Sequence, residues 1–401
     1  MLKDVEVRVL FRAPEFYPAV TPRYSWASQL PAKNRTMGAM FDFQSYDLII
    51  DARSPREFEE DHIPGAINLP VVDNEEYAEV GTLHRTDPMA AYQIGVCYSL
   101  KNIARHIEQH LSGFGRKSKI LVYCFRGGKR SKLWFDALDT IGYKVEKLKG
   151  GWKGYRRWVN EQMQTVPANY RYIVLSGPTG CGKTRLLYAL EKAGAQVLDL
   201  EGVAVHRGSV IGAVPGKEQP SQKLFDSHLL HKMSGFDPAK PIWVEAESKK
   251  IGERQLPDAL LATMRESLIL TVDAAMPQRV LLWREDYGHF ETDPTSLITR
   301  LAYLRPLIGG EEFARWEALA ESRQIVELFE RLMRNHYDPT YRRSILRNYP
   351  DIDNAPTIVL EDLSAEALLP VAQGLRVEYE DAVSVRAMQV SVKVEVPSPL
   401  P

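Results

Sequence analysis

An apolar run, Ile120-Leu-Val-Tyr123, breaks directly into Cys124-Phe-Arg-Gly-Gly-Lys-Arg130-Ser131, and a helical pattern follows from Ser131 to Ile141. Strand, short loop and helix in immediate succession commit the chain to an α/β layer. The helix must fold back onto one face of the sheet that the strand enters. The same order puts the Cys124 sulfur at a helix N-terminus, where backbone N–H groups converge and favour negative charge. Arg126, Lys129 and Arg130 add three cations. Both effects stabilise thiolate over thiol. Cys124 is therefore expected to have a lowered pKa and to act as a nucleophile or as the carrier of a transferred chalcogen atom, with Arg126, Lys129 and Arg130 as its catalytic companions.

The surrounding pattern repeats this architecture. Asp47–Asp51 and Ala66–Leu69 read as strands and Pro55–His62 as a short helix. Residues 88–112 have helical spacing, a strand lies near Val145, and a helix follows Gly150-Gly151. These make a mostly parallel sheet covered on both faces, assigned to residues 41–165. Val166-Pro-Ala-Asn169 reads as a linker. A second series opens with Tyr172–Leu175 and continues with strands at Gln196–Leu200, Ile242–Glu245, Leu268–Val272 and Thr357–Leu360. It occupies residues 166–380, with a helical insertion at about 276–347. Residues 1–40, which include Pro14, Pro18, Pro22 and Pro31, read as an extension. Residues 381–401, ending Pro-Ser-Pro-Leu-Pro, read as a frayed tail.

Gly177-Pro-Thr-Gly180-Cys-Gly182-Lys183-Thr184 matches the phosphate-loop pattern, with a strand before it and a helix, Arg185 to Lys192, after it. The glycines let backbone N–H groups approach phosphate oxygens. Lys183 brings positive charge, and Thr184 is placed to hold a metal ion, Mg²⁺ by preference. The motif reads a polyphosphate without saying whether a nucleoside is attached. Asp199, Glu201, Glu245 and Glu247 lie at or just past the ends of two strands, the side of an open sheet that faces ligand. They are candidate ligand-binding groups, or caps and ion-pair partners. His206 and Arg207 are candidates for phosphate or RNA contact, or an ordinary surface pair. His336-Tyr-Asp-Pro-Thr-Tyr341-Arg-Arg343 suits RNA contact and a capped helix junction equally.

With 51 Lys and Arg against 52 Asp and Glu, the net charge of -1 excludes a general nucleic-acid coat but leaves room for a local basic groove. Cys97, Cys124 and Cys181 have no metal-type spacing and suggest no disulfide framework, which fits a reducing cytoplasm. Cys181 is expected to pack inside the phosphate loop and Cys97 to lie in a helix core. No run reaches the ~20 apolar residues of a membrane span, and no signal peptide is read at the start. A monomer is expected.

The front half resembles a rhodanese (sulfurtransferase) module. Ile50-Asp-Ala-Arg53-Ser-Pro-Arg-Glu57-Phe58, His62-Ile-Pro-Gly-Ala-Ile-Asn-Leu-Pro70 and Gly150-Gly-Trp152 are similar to its signatures, and Cys124 takes the persulfide position. The whole pattern, with the phosphate loop, Asp199-Leu-Glu-Gly, His206-Arg-Gly-Ser, Glu245-Ala-Glu-Ser with Ile251-Gly, and Tyr337-Asp-Pro-Thr-Tyr341, resembles the tRNA 2-selenouridine synthases over roughly residues 45–345. The resemblance implies a fold with a rhodanese-like parallel-sheet domain ahead of a P-loop NTPase-like α/β domain. It implies 2-thiouridine at the wobble position of a tRNA anticodon loop as substrate, S-geranylation from geranyl diphosphate, then replacement by selenium from selenophosphate. Cys124 would carry selenium as a selenosulfide, and Gly177 to Thr184 would hold pyrophosphate, with Mg²⁺ as an aid. One departure stands out. Persulfide loops of this module usually span six residues. The seven from Cys124 to Arg130 also fit the Cys-x-x-Gly-x-x-Arg-Ser loop of cysteine phosphatases, although Tyr123 stands where those carry His and no partner acid is evident. The alternatives are thus a cysteine phosphatase or sulfurtransferase fused to a nucleotide-binding, kinase-like domain, and a non-catalytic sensor of nucleotide and redox state.

Overall fold

A computed structural model describes residues 42–380, apart from Val210; the proposed extension and tail lie outside the described residues. The first sheet has four parallel strands in the order β2-β1-β3-β4: β1 (Leu48–Asp51), β2 (Ile67–Asn68), β3 (Lys119–Tyr123) and β4 (Lys144–Lys147). Every residue of β1 is buried, as is β3 after Lys119, because helices cover both faces. The helices are α1 (Pro55–Glu60), α2 (Asn74–Leu83), α3 (Pro88–His110), α4 (Lys129–Ile141) and α5 (Gly151–Thr165). Ile50, Val122, Trp134 and Leu138 are wholly enclosed in the core between them.

The second sheet runs β11-β10-β5-β7-β6, again parallel. Its strands are β5 (Tyr172–Ser176), β6 (Gln196–Leu198), β7 (Ile242–Glu245), β10 (Leu268–Ala274) and β11 (Thr357–Leu360), with a short antiparallel hairpin of β8 (Lys250–Ile251) and β9 (Arg254–Gln255) outside it. The central strand β5 feeds the phosphate loop and α6 (Lys183–Lys192). Then come α7 (Leu200–Ala204), α8 (Gln222–Ser234) and α9 (Asp258–Arg265). The helical insertion comprises α10 (Met276–Asp286), α11 (His289–Thr292), α12 (Pro294–Leu301), α13 (Arg305–Ile308), α14 (Gly310–Glu321), α15 (Ile325–Leu332) and α16 (Asp338–Asn348). It closes over its own core of Trp283, Phe290, Trp316 and Phe329. The last helix, α17 (Ala365–Leu375), packs on α6.

Two expectations are corrected. Val166–Asn169 is a 3₁₀ turn in which Val166 and Pro167 are buried, so the stretch is a packed joint. Cys97 is exposed. α3 buries Ala91, Ser99, Asn102 and His106, a largely small and polar stripe that includes one core residue, Ile103, and turns Tyr92, Val96 and Leu100 outward. Hydrophobic spacing alone pointed to the wrong face. Among the described residues, no helix is long and apolar enough to cross a membrane.

Candidate active site

Cys124 sits just past the end of β3, buried, with its sulfur 3.2 Å from the Ser131 hydroxyl in the first turn of α4. Burial works against a thiolate here. The Ser131 hydroxyl and N–H, the Arg130 charge and the Gly128 N–H outweigh it, and the thiol is held below its usual pKa. Of the three expected cations, only Arg130 is among the groups that lower it. Its guanidinium is fixed from behind by Glu57 of α1, at 2.6 and 3.2 Å to the two carboxylate oxygens. Glu57 in turn accepts from the Ser54 N–H at 3.0 Å, completing a capping box. Arg126 lies over Phe125 and Lys129 over Tyr92, 3.9 Å from its ring centre; both are exposed at the loop's rim.

The loop is braced from below by α5. Trp152 donates its backbone N–H to the Cys124 carbonyl at 2.8 Å, and Lys153 to that of Phe125 at 3.0 Å. Gly151 makes this possible. Its φ is +57°, and a Cβ there would stand 2.2 Å from the Cys124 carbonyl oxygen. The Gly-Gly-Trp stretch is thus a backbone clamp on the cysteine loop.

The phosphate loop follows β5 in the same manner. Lys183 reaches back to the carbonyls of Gly177 and Pro178 at 2.8 and 3.3 Å. Burial alone would lower its pKa, but Cys181, Tyr341, Glu245 and Glu201 around it raise it. Cys181 packs in the core, where burial pushes its thiol up. Behind Lys183, Glu201, Glu245 and Glu247 bring carboxylate oxygens within 4.8 Å of one another. Burial, reinforced for Glu201 and Glu245 by the other carboxylates, raises all three above the usual carboxylate range. Thr184 donates to Glu245 Oε2 at 3.2 Å, while Glu245 Oε1 is buried without a partner. A hard, all-oxygen donor set with an orphaned buried oxygen fits a divalent cation such as Mg²⁺.

The remaining predicted residues frame this cluster. Asp199 stands beside it, but its oxygens accept from the Gly202 N–H at 2.7 Å and the Tyr188 hydroxyl at 3.1 Å, so it caps α7. The loop from His206 to Ala213 lies across the carboxylates. Gly208, at φ +64°, comes so close that a Cβ would stand 2.4 Å from Glu201 Oε1. Arg207 points away, bonded to the Asp286 carbonyl and stacked over Tyr287. His206 is buried, with Nδ1 unpartnered. The Tyr337–Tyr341 motif serves the phosphate loop from the other side. Tyr341 accepts the Gly177 N–H at 2.7 Å and lies 2.6 Å from the Ser176 hydroxyl. Asp338 pairs with Arg279, which donates to the Thr179 carbonyl at 2.9 Å.

A buried joint links the two halves. Asp61, at the end of α1, accepts from Trp152 Nε1 at 2.7 Å and from the Ser227 hydroxyl of α8 at 2.7 Å. Arg156 of α5 reaches Asp61 at 3.7 Å and Asp226 at 3.0 Å. Trp152 therefore touches the cysteine loop and the joint at once. On the far side, Gln219 ties Ala204 and Ile251 together through their carbonyls and accepts the Glu253 N–H at 2.9 Å. Spacing within the chain did not reveal Asp61, Arg156 or Gln219 as functional supports. Glu57 and Trp152 were visible only as parts of motifs.

Comparison with known proteins decides the family. A rhodanese-like domain model matches residues 35–158, and the tRNA 2-selenouridine synthase AAA domain model matches residues 170–297. A tRNA 2-selenouridine synthase of Nitrosomonas europaea is 33% identical over 288 residues, covering 70% of this chain and 73% of the relative. That of Hahella chejuensis is 32% identical over 330 residues, 75% and 86% of the two chains. That of Cupriavidus necator is 30% identical over 346 residues, 75% and 88%. The chain belongs to the tRNA 2-selenouridine synthase family. It is therefore an enzyme, a transferase, built from a rhodanese-like α/β half and a P-loop α/β half. Within this synthase family, the cysteine loop and the carboxylate-backed phosphate loop described above are its two candidate centres.

Proposed function

We propose that the protein converts 2-thiouridine at the tRNA wobble position to 2-selenouridine in two steps. The phosphate loop serves the first. Geranyl diphosphate is held with its diphosphate against the Gly177–Thr184 backbone and Lys183. The thiocarbonyl sulfur forms a bond to the geranyl C1 as the C1–O bond breaks, diphosphate departs, and the N3 proton is lost. Lys183 and the loop N–H groups face the charge that develops on the leaving group. Glu201, Glu245, Glu247 and Thr184 would hold Mg²⁺, whose contribution when bound is to neutralise diphosphate charge.

The second step exploits the first. S-geranylation turns a poor leaving group into a thiol, so selenium adding at C2 can expel geranylthiol. The Cys124 thiolate is the nucleophile that receives the donor selenophosphate, with Arg130 beside it; the selenosulfide is the form the family resemblance implies. What supports the reading is one arrangement: a lowered-pKa cysteine and a lysine-bearing phosphate loop joined through Asp61 and Trp152 in one chain. The test is purified protein with thiolated tRNA, first with geranyl diphosphate and then with selenophosphate, followed by nucleoside mass spectrometry. Geranylated and then selenated uridine is expected in sequence. Unchanged 2-thiouridine in both reactions would overturn the proposal.

A further inference from the structure

A selenosulfide on Cys124 has an electron cost. Thiolate can take selenium from selenophosphate only if phosphorus leaves at the phosphite level, or if an oxidant removes two electrons. Neither is supplied by the residues of this loop. The seven-residue span from Cys124 to Arg130 is one residue longer than a persulfide loop of this module, and its parts match a tetrahedral dianion better than a single chalcogen atom. Arg130 has five N–H donors, and Glu57 engages only two of them, at 2.6 and 3.2 Å. That grip fixes the plane of the guanidinium and leaves a fork for phosphoryl oxygens. Backbone N–H groups at Gly128 and Ser131 face the sulfur at the start of α4. The Ser131 hydroxyl, 3.2 Å from both the sulfur and the Gly128 carbonyl, can turn to stabilise a sulfur anion when one forms.

We propose that Cys124 accepts the phosphoryl group of selenophosphate rather than its selenium, so that selenium leaves the loop as selenide. This rests on the proposed two-step function and changes the chemistry of its second site. The Cys124 thiolate attacks phosphorus. An S–P bond forms, the P–Se bond breaks, and selenium departs with the electron pair as hydrogenselenide, HSe⁻, keeping the proton of monoprotonated selenophosphate. Selenide adds at C2 of the S-geranylated uridine and expels geranylthiol. Water then cleaves the S–P bond, giving orthophosphate and returning the Cys124 thiolate, with Ser131 stabilising that thiolate as the leaving group. No oxidant or reductant enters. The route also explains why the loop manages without a general acid. Glu57, the carboxylate paired with Arg130, is held ionised: burial would raise its pKa, but Arg130 and the Ser54 N–H bring it below the usual range. An alkoxide leaving group needs a proton donor, whereas hydrogenselenide, which carries the proton of monoprotonated selenophosphate, is a far weaker base and leaves without one from the protein. The site is accordingly selective for P–Se over P–O esters.

The experiment uses the full chain with selenophosphate as the probe. Wild type and Ser131→Ala are quenched rapidly, and the Cys124 peptide is read by mass spectrometry. A phosphoryl adduct is expected, accumulating at least severalfold more in Ser131→Ala, with orthophosphate as the released phosphorus product. Selenium on Cys124, or phosphite in solution, overturns the proposal. In a second arm, Cys124→Ser and wild type receive geranylated tRNA. With selenophosphate the variant should form at least 100-fold less 2-selenouridine, and hydrogen selenide should restore it. Failure of selenide to restore the product in a cooperatively folded variant also overturns the proposal. If a phosphoryl adduct forms but wild type leaves geranylated tRNA unchanged with either selenium source, the two-step function is what fails.

Discussion

The cysteine loop and the phosphate loop share one construction and differ in how their charge is balanced. Each follows a buried parallel strand, turns on glycines and opens a helix whose N-terminus favours an anion. At the cysteine loop the anion belongs to the protein. The Cys124 thiolate is stabilised by Ser131, Gly128 and Arg130, and Arg130 is already held by Glu57. At the phosphate loop Lys183 stands before three glutamates, which burial above all, with repulsion from neighbouring carboxylates, raises above the usual carboxylate range. The first loop is poised before any ligand arrives. On the proposed function, the second is completed when a cation and a diphosphate bind. On that proposed function, the same backbone device serves a covalent nucleophile in one half and a departing diphosphate in the other.

The largest expected effect separates the halves outright. Lys183→Ala should abolish geranyl transfer while leaving selenation of pre-geranylated tRNA measurable, and Cys124→Ser should do the reverse. Both are read by nucleoside mass spectrometry. Loss of both steps in either variant would mean that the two loops form one functional unit.

Next in size is the joint. Arg156→Ala leaves Asp61 buried with only Trp152 and Ser227 as partners, although burial already raises its pKa against their pull. A loss of about 3 kcal/mol in unfolding free energy is expected by denaturant titration. Because Trp152 also holds the Cys124 carbonyl, the thiol's alkylation profile should move in the same variant. A stability loss with an unmoved profile would show that the joint only fastens the halves together.

The carboxylate cluster gives a pH signature. Glu245 is raised to about 8 by burial and its neighbours, above its unfolded value. Its native state therefore binds more protons than the unfolded state across that interval, and stability is full below the unfolded pKa and lost as pH rises through the folded one. One such group contributes a slope of at most about 1.4 kcal/mol per pH unit. Thermal melts from pH 5 to 8 should show stability falling, Glu245→Gln should flatten the fall, and added Mg²⁺ should counter it in wild type alone. A fall of equal slope in Glu245→Gln would remove the cluster as its source.

These contrasts also mark what the sequence could disclose. Each loop is written in a contiguous stretch, so strand, turn, helix and principal residues are legible from local pattern alone. Arg130 could not be told from Arg126 and Lys129, because the choice is made by Glu57, 73 positions away. Tyr341 reaches Gly177 across 164 positions, and Asp61 meets Ser227 across 166. Such partners are set by tertiary packing, and no spacing rule exposes them. Cys97 fails for the opposite reason: the local periodicity is real, but α3 buries its polar stripe because Asn102 donates to the Val71 carbonyl and His106 lies within hydrogen-bond reach of that of Pro70.

The smallest expected effect sharpens the comparison most directly. Ser131→Ala removes the one hydroxyl beside the Cys124 sulfur and leaves Arg130, Glu57 and the helix N-terminus in place. The thiol pKa should rise, because the opposing burial remains while a stabilising contact is lost. The pH-rate profile of iodoacetamide alkylation at Cys124 should therefore move to higher pH, whereas pyrophosphate binding at the other loop should not change. An unmoved profile would assign the thiolate's stability to backbone N–H groups and Arg130 alone. The cysteine loop would then rely on the same helix N-terminus and single cation as the phosphate loop, and the two would differ only in the carboxylates behind Lys183.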